Sequence, residues 1–152
     1  MHLHLQQHHR LLSCAGLATF SLDTNVVSEL RRPRAHGAVL AWLESTNDMD
    51  LHLASVSIGE IQAGIELTRE QDPGKAREIE LWLDQVCNTF NILTMDGLAF
   101  RCWAQLMHRK SDTLYEDAMI AAIAKVHQLT VVTRNVADFH RFEVPLLNPF
   151  TR

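Results

Sequence analysis

Short apolar runs alternate with longer helical segments along this chain, and this alternation limits the possible folds more than any other feature. The runs are rich in β-branched and aliphatic residues, and segments with apolar residues at helical spacing separate them. Parallel strands need a crossover connection, usually a helix, so this order predicts an α/β fold with a parallel sheet covered on both faces. The strands are predicted at 18–22, 51–55, 90–95, 130–133 and 144–147.

Turn and capping residues mark the helices between these strands. Pro33 ends a helix over 25–32, because the residue before a proline disfavours the helical conformation. Ser57 begins a long helix, and the turn at 72–74 separates it from the next helix to form a helical hairpin. Asp96 precedes another helix and is most simply its N-cap. Further helices are predicted at 36–44 and 117–126.

Length and charge restrict the domain organisation and the classes of partner. The 152 residues, 47% of them hydrophobic, fit one globular domain with a substantial core. A net charge of −4 excludes a generally basic surface, so a nucleic acid partner would need a local basic patch or bound cations. The three cysteines form no C-x-x-C pair, which favours a reducing cytoplasm over a disulfide framework. No apolar run approaches the roughly 18 residues of a membrane helix.

Residues 1–17 are expected to lie outside the fold, which then covers 18–152. This tract is rich in histidine and has no clear periodicity. It also lacks the apolar h-region of a signal peptide. We interpret it as a disordered extension or as a start codon assigned too far upstream.

Three acidic residues from distant parts of the chain each stand where a strand ends or a helix begins. Asp23 follows the first strand, Glu60 lies near the start of the long helix, and Asp117 precedes the apolar run 118–124. Ligands of open α/β sheets bind beyond the carboxyl ends of the strands. Clustered carboxylates are tolerated chiefly around a cation, and oxygen ligands favour Mg²⁺ or Mn²⁺. The sequence therefore indicates a possible metal site.

Each acid also has a purely structural interpretation. The stretch from Ser57 to Glu60 matches a capping box, in which both side chains bond to the first helical amides. Glu116 and Asp117 suit the positive end of a helix dipole, although the helix that follows Asp117 looks buried all round. From spacing alone, the structural and functional interpretations of Glu60 stay open.

Four stretches of the chain form an ordered set of motifs: LDTNVVSEL at 22–30, SVSIGEIQAGI at 55–65, EDAMIAAIAKVHQLTVVTRNVADF at 116–139 and NPF at 148–150. Together they resemble the PIN-domain ribonucleases, specifically the VapC and FitB-like toxins of bacterial toxin–antitoxin pairs. The resemblance implies a three-layer α/β/α domain with a central, mainly parallel sheet. It also implies a Mg²⁺- or Mn²⁺-dependent endoribonuclease that acts on RNA in the cytoplasm, dimerises and is inhibited by a cognate antitoxin protein.

Matched residue by residue, the resemblance places Asp23, Glu60 and Asp117 at the family's acidic positions. The fourth position, acidic in some members, is Asn135 here, and Asp138 is the other candidate for the fourth ligand. Asp23 and Asp117 would hold the metal that activates the attacking water, and Glu60 would hold the metal or orient that water. The residues expected to orient the carboxylates by hydrogen bonds are Thr24, Asn25 and Thr133.

Positively charged residues near these motifs have two interpretations. Arg109, Lys110 and Arg134 are either ordinary surface charges or groups that steer RNA towards the acidic site. Thr133 is a further candidate for contact with a substrate phosphate.

Two other classes of protein are alternatives to a PIN-domain ribonuclease. A phosphatase with the D-x-D-x-T motif is disfavoured, because Asn25 stands where the second aspartate belongs, and no P-loop motif is present. The second alternative is a catalytically degenerate PIN-like module that acts by binding a protein. Asn135 at the fourth position favours that alternative, and the three retained acids count against it.

Overall fold

The computed structural model describes residues 18–151, and the predicted extension over 1–17 lies outside this range. Five short strands form one sheet in the order β3-β2-β1-β4-β5, and every neighbouring pair is parallel. The α/β/α fold class with a parallel central sheet is thus confirmed. The strands are β1 Phe20–Leu22, β2 Leu51–Ala54, β3 Asn91–Leu93, β4 Thr130–Val132 and β5 Leu146–Leu147.

Seven α-helices connect and cover the strands within the described range. The two longest, α3 and α4, form the predicted hairpin, with Pro73 at the first position of α4. The predicted N-cap at Asp96 is confirmed, since its Oδ1 accepts a hydrogen bond from the Ala99 N–H at 2.8 Å. The helices are α1 Thr24–Val27, α2 Gly37–Ser45, α3 Ser55–Gln71, α4 Pro73–Thr89, α5 Gly97–Met107, α6 Tyr115–His127 and α7 Val136–His140. Short 3-10 turns cover Ser28–Arg31, Asp48–Asp50 and Asp112–Leu114.

Two apolar clusters lie on the two faces of the sheet. Val132 of β4 packs in one cluster with α1 to α4, and the adjacent Val131 packs in the other with α5 to α7. Successive residues of a strand point to opposite faces, so a strand buried on both sides is apolar without interruption. No helix in the described part of the chain is both long and apolar enough to cross a bilayer.

The start of α3 differs from the prediction. Strand β2 ends at Ala54, so the helix begins at Ser55 and not at Ser57. Ala54 is the N-cap and makes no side-chain capping bond within residues 18–151. The capping-box interpretation of Ser57 and Glu60 is therefore wrong, because both residues lie inside the helix. Its failure removes the main structural explanation for Glu60.

Candidate active site

Asp23 stands at the carboxyl edge of the sheet, directly after β1. It is only 5% exposed. Its backbone N–H donates to the Val132 carbonyl at 2.8 Å, so strand β4 fixes its position. Its Oδ1 accepts a hydrogen bond from the Thr24 N–H at 2.8 Å, which caps the four-residue helix α1. The carboxylate thus caps a helix and still lies where ligands of parallel sheets bind.

Thr133 and Asn25 hold the other oxygen of this carboxylate. The fully buried Thr133 donates its hydroxyl to Asp23 Oδ2 at 2.7 Å, and Asn25 Nδ2 donates to the same oxygen at 3.2 Å. Thr133 Oγ1 accepts the Asn135 N–H at 2.9 Å, and Asn25 Oδ1 accepts the Arg134 N–H at 3.3 Å. The loop after β4 and the start of α1 therefore orient the Asp23 carboxylate together.

Glu60 from α3 and Asp117 from the first turn of α6 lie near Asp23. Burial raises the pKa of Glu60 to about 7, and the charges of Asp23, Glu116 and Asp117 add to the shift. Burial also raises the pKa of Asp117 to about 6, and the charges of Asp23 and Asp138 add to it. The structure therefore brings the three acids that the sequence singled out within electrostatic range of one another.

The pKa of Asp23 is raised as well. Burial is the largest cause, and it outweighs the hydrogen bonds from Thr133 and Thr24, which lower the pKa. The charge of Asp138 raises it further. Burial and the neighbouring carboxylates thus raise all three pKa values, and the charge of Arg141 offsets only part of the shift at Asp117.

Asp138 belongs to this cluster electrostatically, although its side chain is half exposed. It lies in α7, its Oδ1 is 4.0 Å from Arg141 Nη2, and its charge raises the pKa of both Asp23 and Asp117. Asn135 is exposed at the start of α7, and its side chain makes no capping bond within the described residues. Of the two candidates for the fourth position, Asp138 is the one that adds negative charge.

Three buried hydroxyls lack a hydrogen-bond partner among residues 18–151: Ser21 Oγ, Thr24 Oγ1 and Ser57 Oγ. Thr24 directly follows Asp23, and Ser57 lies in α3 with Glu60. Thr24 lies near Glu60 and contributes slightly to lowering its pKa, without a well-aligned hydrogen bond. Ser57 lies three residues before Glu60, on the same side of α3. Buried hydroxyls are normally hydrogen-bonded, so Thr24 and Ser57 can each still form a hydrogen bond near the acids.

The donor set suits a divalent cation such as Mg²⁺ or Mn²⁺. Its members are all carboxylates, which are hard oxygen ligands, and a cation would relieve their mutual repulsion. In the present side-chain positions, no three His, Cys, Asp or Glu residues within 18–151 are close enough to hold one ion together.

The raised pKa values predict how stability changes with pH in the absence of divalent metal. The pKa of Glu60 is about 7 in the folded state against 4.5 ordinarily, so the folded state binds more protons between these values. The free energy of unfolding should therefore rise as the pH falls from 8 towards 5. The Glu60 residue as a whole is exposed and its carboxylate is only partly desolvated, so solvent screening limits this effect. We expect Glu60→Gln to stabilise the protein at pH 8 by about 1 kcal/mol, or roughly 3 °C in Tm.

Thermal unfolding in EDTA at pH 8 and pH 5 measures this effect. The matched control is Glu70→Gln, which changes an exposed glutamate in the last turn of the same helix. The gain from Glu60→Gln should shrink at pH 5, and the control should change Tm little at either pH. Equal changes in Tm for both variants would show that Glu60 is not repelled by its neighbours.

Two aromatic rings for which the sequence predicts no role, Phe150 and His36, meet near Arg134. Arg134 Cζ lies 4.0 Å from the centre of the Phe150 ring, and the His36 ring is 5.2 Å from it, centre to centre. The NPF motif at 148–150 and the position of Arg134 next to Thr133 were the available signals. Neither reveals that chain segments more than 100 residues apart meet here.

The comparisons with known proteins agree with this architecture. The PIN domain family model matches residues 21–144. Toxin FitB of Neisseria gonorrhoeae is 33% identical over 138 residues, which cover 85% of this chain and 96% of that protein. VapC ribonuclease Y4jK of Sinorhizobium fredii is 30% identical over 137 residues, with the same coverage of 85% and 96%. The crystal structure of FitAcB from Neisseria gonorrhoeae matches with a TM-score of 0.77 and 33% identity, over 87% of this chain and 99% of that one. The range that the family model matches includes every acid of the cluster.

Proposed function

Because this chain belongs to the PIN domain family, we propose that it is a Mg²⁺- or Mn²⁺-dependent endoribonuclease toxin inhibited by a cognate antitoxin. The observation that carries the proposal is the group of mutually repelling acids Asp23, Glu60 and Asp117 at the carboxyl edge of the sheet. Relatives of similar length that are named as a toxin and as a ribonuclease support it.

Each acid of the cluster has a proposed role in the reaction. Asp23 and Asp117 would hold the cation, and Asp138, rather than Asn135, would supply the fourth acidic group. When bound, the cation would neutralise charge on the scissile phosphate and lower the pKa of the attacking water. Glu60 would join the ligands or accept the proton of that water. Hydrogen bonds from the neighbouring polar residues would keep Asp23 in one orientation.

The proposal extends to partners and location. An antitoxin protein and a second copy of the chain are the proposed partners, and the cytoplasm is the proposed location. The similarity to a protein named Toxin FitB supports the proposal of an antitoxin partner. Exposed apolar side chains on α5 and at the start of α6 support the proposal that this surface is buried in a complex. They are Leu98, Phe100 and Tyr115.

A catalytically degenerate module that works through protein binding is the second candidate. Asn135 at the fourth acidic position favours it. The distances between the carboxylates also favour it, because no three of them within 18–151 are close enough to hold one ion. Incubation of a mixed cellular RNA pool with the purified protein in Mg²⁺, Mn²⁺ or EDTA decides between the two. Discrete products that require metal support the nuclease. Intact RNA with every metal, from protein shown to be folded, supports the binding module.

Replacement of Thr133 by valine tests the orientation of Asp23. Valine has nearly the same shape but lacks the hydroxyl that donates to Asp23 Oδ2 and accepts from the Asn135 N–H. We expect the rate of metal-dependent RNA cleavage to fall by about 10- to 100-fold. The unpaired buried groups should also lower the free energy of unfolding by about 1–3 kcal/mol.

Thr130→Val is the matched control, because Thr130 lies at the start of the same strand, away from the carboxyl edge. Initial cleavage rates and urea unfolding should be measured for both variants. A Thr133→Val variant that keeps the rate of the Thr130→Val variant would show that the hydroxyl does not position the acid.

A further inference from the structure

Three planar side chains form a stack beside the acids, which we call the arginine stack: Arg134, Phe150 and His36. The Arg134 guanidinium lies over the face of the Phe150 ring at 4.0 Å. His36 meets the same ring edge-on, with 5.2 Å between centres and 65° between planes. The Arg134 guanidinium therefore offers a flat, cationic face that Phe150 supports from below, and His36 contacts Phe150 at its side.

Hydrogen bonds connect the arginine stack directly to Asp23. Arg134 follows Thr133, whose hydroxyl donates to Asp23. The Arg134 N–H also donates to Asn25, which donates in turn to the same carboxylate oxygen. A ligand on the outer face of the guanidinium would thus lie beside the proposed reaction centre.

Other hydrogen bonds hold the stack in place before any ligand binds. The buried Glu29 accepts the His36 N–H at 2.9 Å, and His36 Nδ1 accepts the Ala38 N–H at 3.3 Å. The Phe150 N–H donates to Asn148 Oδ1 at 3.0 Å. Arg134 itself is exposed, so the face that it turns away from Phe150 is accessible to a ligand. This preorganisation lowers the entropic cost of binding a flat group.

The charge around the stack favours a polyanion. The loop that leads to His36 reads RRPR at 31–34 and is exposed. Arg32 pairs with Glu29 at 3.6 Å. In a chain whose net charge is −4, this loop and Arg134 concentrate positive charge next to the acidic edge. Phosphates would find counter-charges there, and the acids would need a cation to accept a phosphate.

We propose that the arginine stack binds a base of single-stranded RNA next to the scissile phosphate. The inference rests on the proposed nuclease function and names the form of its substrate. Unpaired bases stack on aromatic rings and on arginine guanidinium planes, whereas bases inside a duplex have no free face. The exposed arginines at 31–34 and Arg134 favour a ligand that carries phosphates, and the guanidinium face over Phe150 favours an unpaired base on that ligand.

Binding of two labelled probes by the full chain tests this proposal. Asp117→Asn is included in every sample, with EDTA, to prevent cleavage. The probes are an oligoadenylate of about 12 nucleotides and an abasic RNA strand of the same length and charge. Fluorescence anisotropy gives the Kd for each probe. We expect the protein that carries Asp117→Asn alone to bind the oligoadenylate about tenfold more tightly than the abasic strand.

Arg134→Lys keeps the charge but removes the flat face, so this preference should fall to about twofold or less. The slope of log Kd against log salt should stay the same, because the number of charges is unchanged. Arg77→Lys, an exposed arginine on α4, is the control and should keep the full preference. Phe150→Leu should act like Arg134→Lys, with Tm measured because Phe150 also packs against the core.

Each remaining outcome bears on one proposal. Equal binding of both probes would refute base binding by the arginine stack. A full tenfold preference for the oligoadenylate in Arg134→Lys would refute it as well. A loss of antitoxin binding in Arg134→Lys, with RNA binding unchanged, would reassign the surface to the protein partner. Metal-dependent cleavage without a base preference would refute the stack and leave the nuclease intact. A base preference without cleavage by the unaltered protein would refute the nuclease and leave the stack as a binding surface.

Discussion

Asp117→Asn is expected to lower the rate of metal-dependent RNA cleavage by about a thousandfold or more. This corresponds to about 4 kcal/mol of lost transition-state stabilisation, within the several kcal/mol that a bound metal supplies. Asparagine has nearly the same shape as aspartate but carries no charge, so it should not hold the cation. Asp117 lies in the first turn of α6 and is only partly buried. The variant should therefore fold, and it should still bind the antitoxin.

Initial rates on a mapped RNA substrate, with Mg²⁺ or Mn²⁺, measure this effect. The matched control is Asp112→Asn, because Asp112 is an exposed acid in the 3-10 turn just before α6. The control should cleave within a few-fold of the unaltered protein. An Asp117→Asn variant that cleaved at the unaltered rate would refute the proposed role of Asp117 and, with it, the use of the acidic cluster as the metal site.

Phe139→Ala is expected to have the largest effect on stability, lowering the free energy of unfolding by about 3–5 kcal/mol. Phe139 is fully buried in α7 and packs edge-on against Phe142, with ring centres 6.4 Å apart. Removing the ring leaves a cavity in the apolar cluster under α5 to α7. A domain of this size is typically stable by about 5–15 kcal/mol, so the loss is a large share of the total.

Urea unfolding provides the measurement, and Phe100→Ala provides the comparison. Phe100 is also on a helix, but it is 46% exposed, so its truncation should cost less than about 1 kcal/mol. Equal costs for the two variants would contradict the packing described for α7. Because α7 also carries Asp138, RNA cleavage by Phe139→Ala should fall below that of Phe100→Ala even where both are folded.

Most strands and long helices could be predicted from the sequence, because their signals are local. The alternation of apolar runs with helical segments is enough to predict a parallel sheet with helices on both faces. The turn at 72–74 and the N-cap at Asp96 follow from residue chemistry alone. By contrast, α7 covers only Val136–His140, which is too short to show a helical period, and it was not predicted.

The start of α3 was misjudged because strand pairing decides it. Ala54 pairs with Leu93 of β3, so β2 continues to that residue and the helix follows at once. A capping motif two residues further on cannot reveal this. The proximity of the acids was inferred from topology, but its electrostatic effects required coordinates. The same is true of the effect of Asp138 on the pKa values of Asp23 and Asp117, which depends on where α7 places that side chain.

The in-register ends of two strands have a consequence for how such a protein can diversify. Leu22, the last residue of β1, pairs with Val132, the last residue of β4, so the chain leaves the sheet at the same level on both strands. The backbone bond from Asp23 to β4 ties the first acid to this level and not to a loop. Mutations that reshape the arginine-rich loop at 31–34 or the C-terminal segment can therefore accumulate without displacing that acid. The architecture therefore allows the surface around the acids to vary between related proteins while the position of Asp23 is retained.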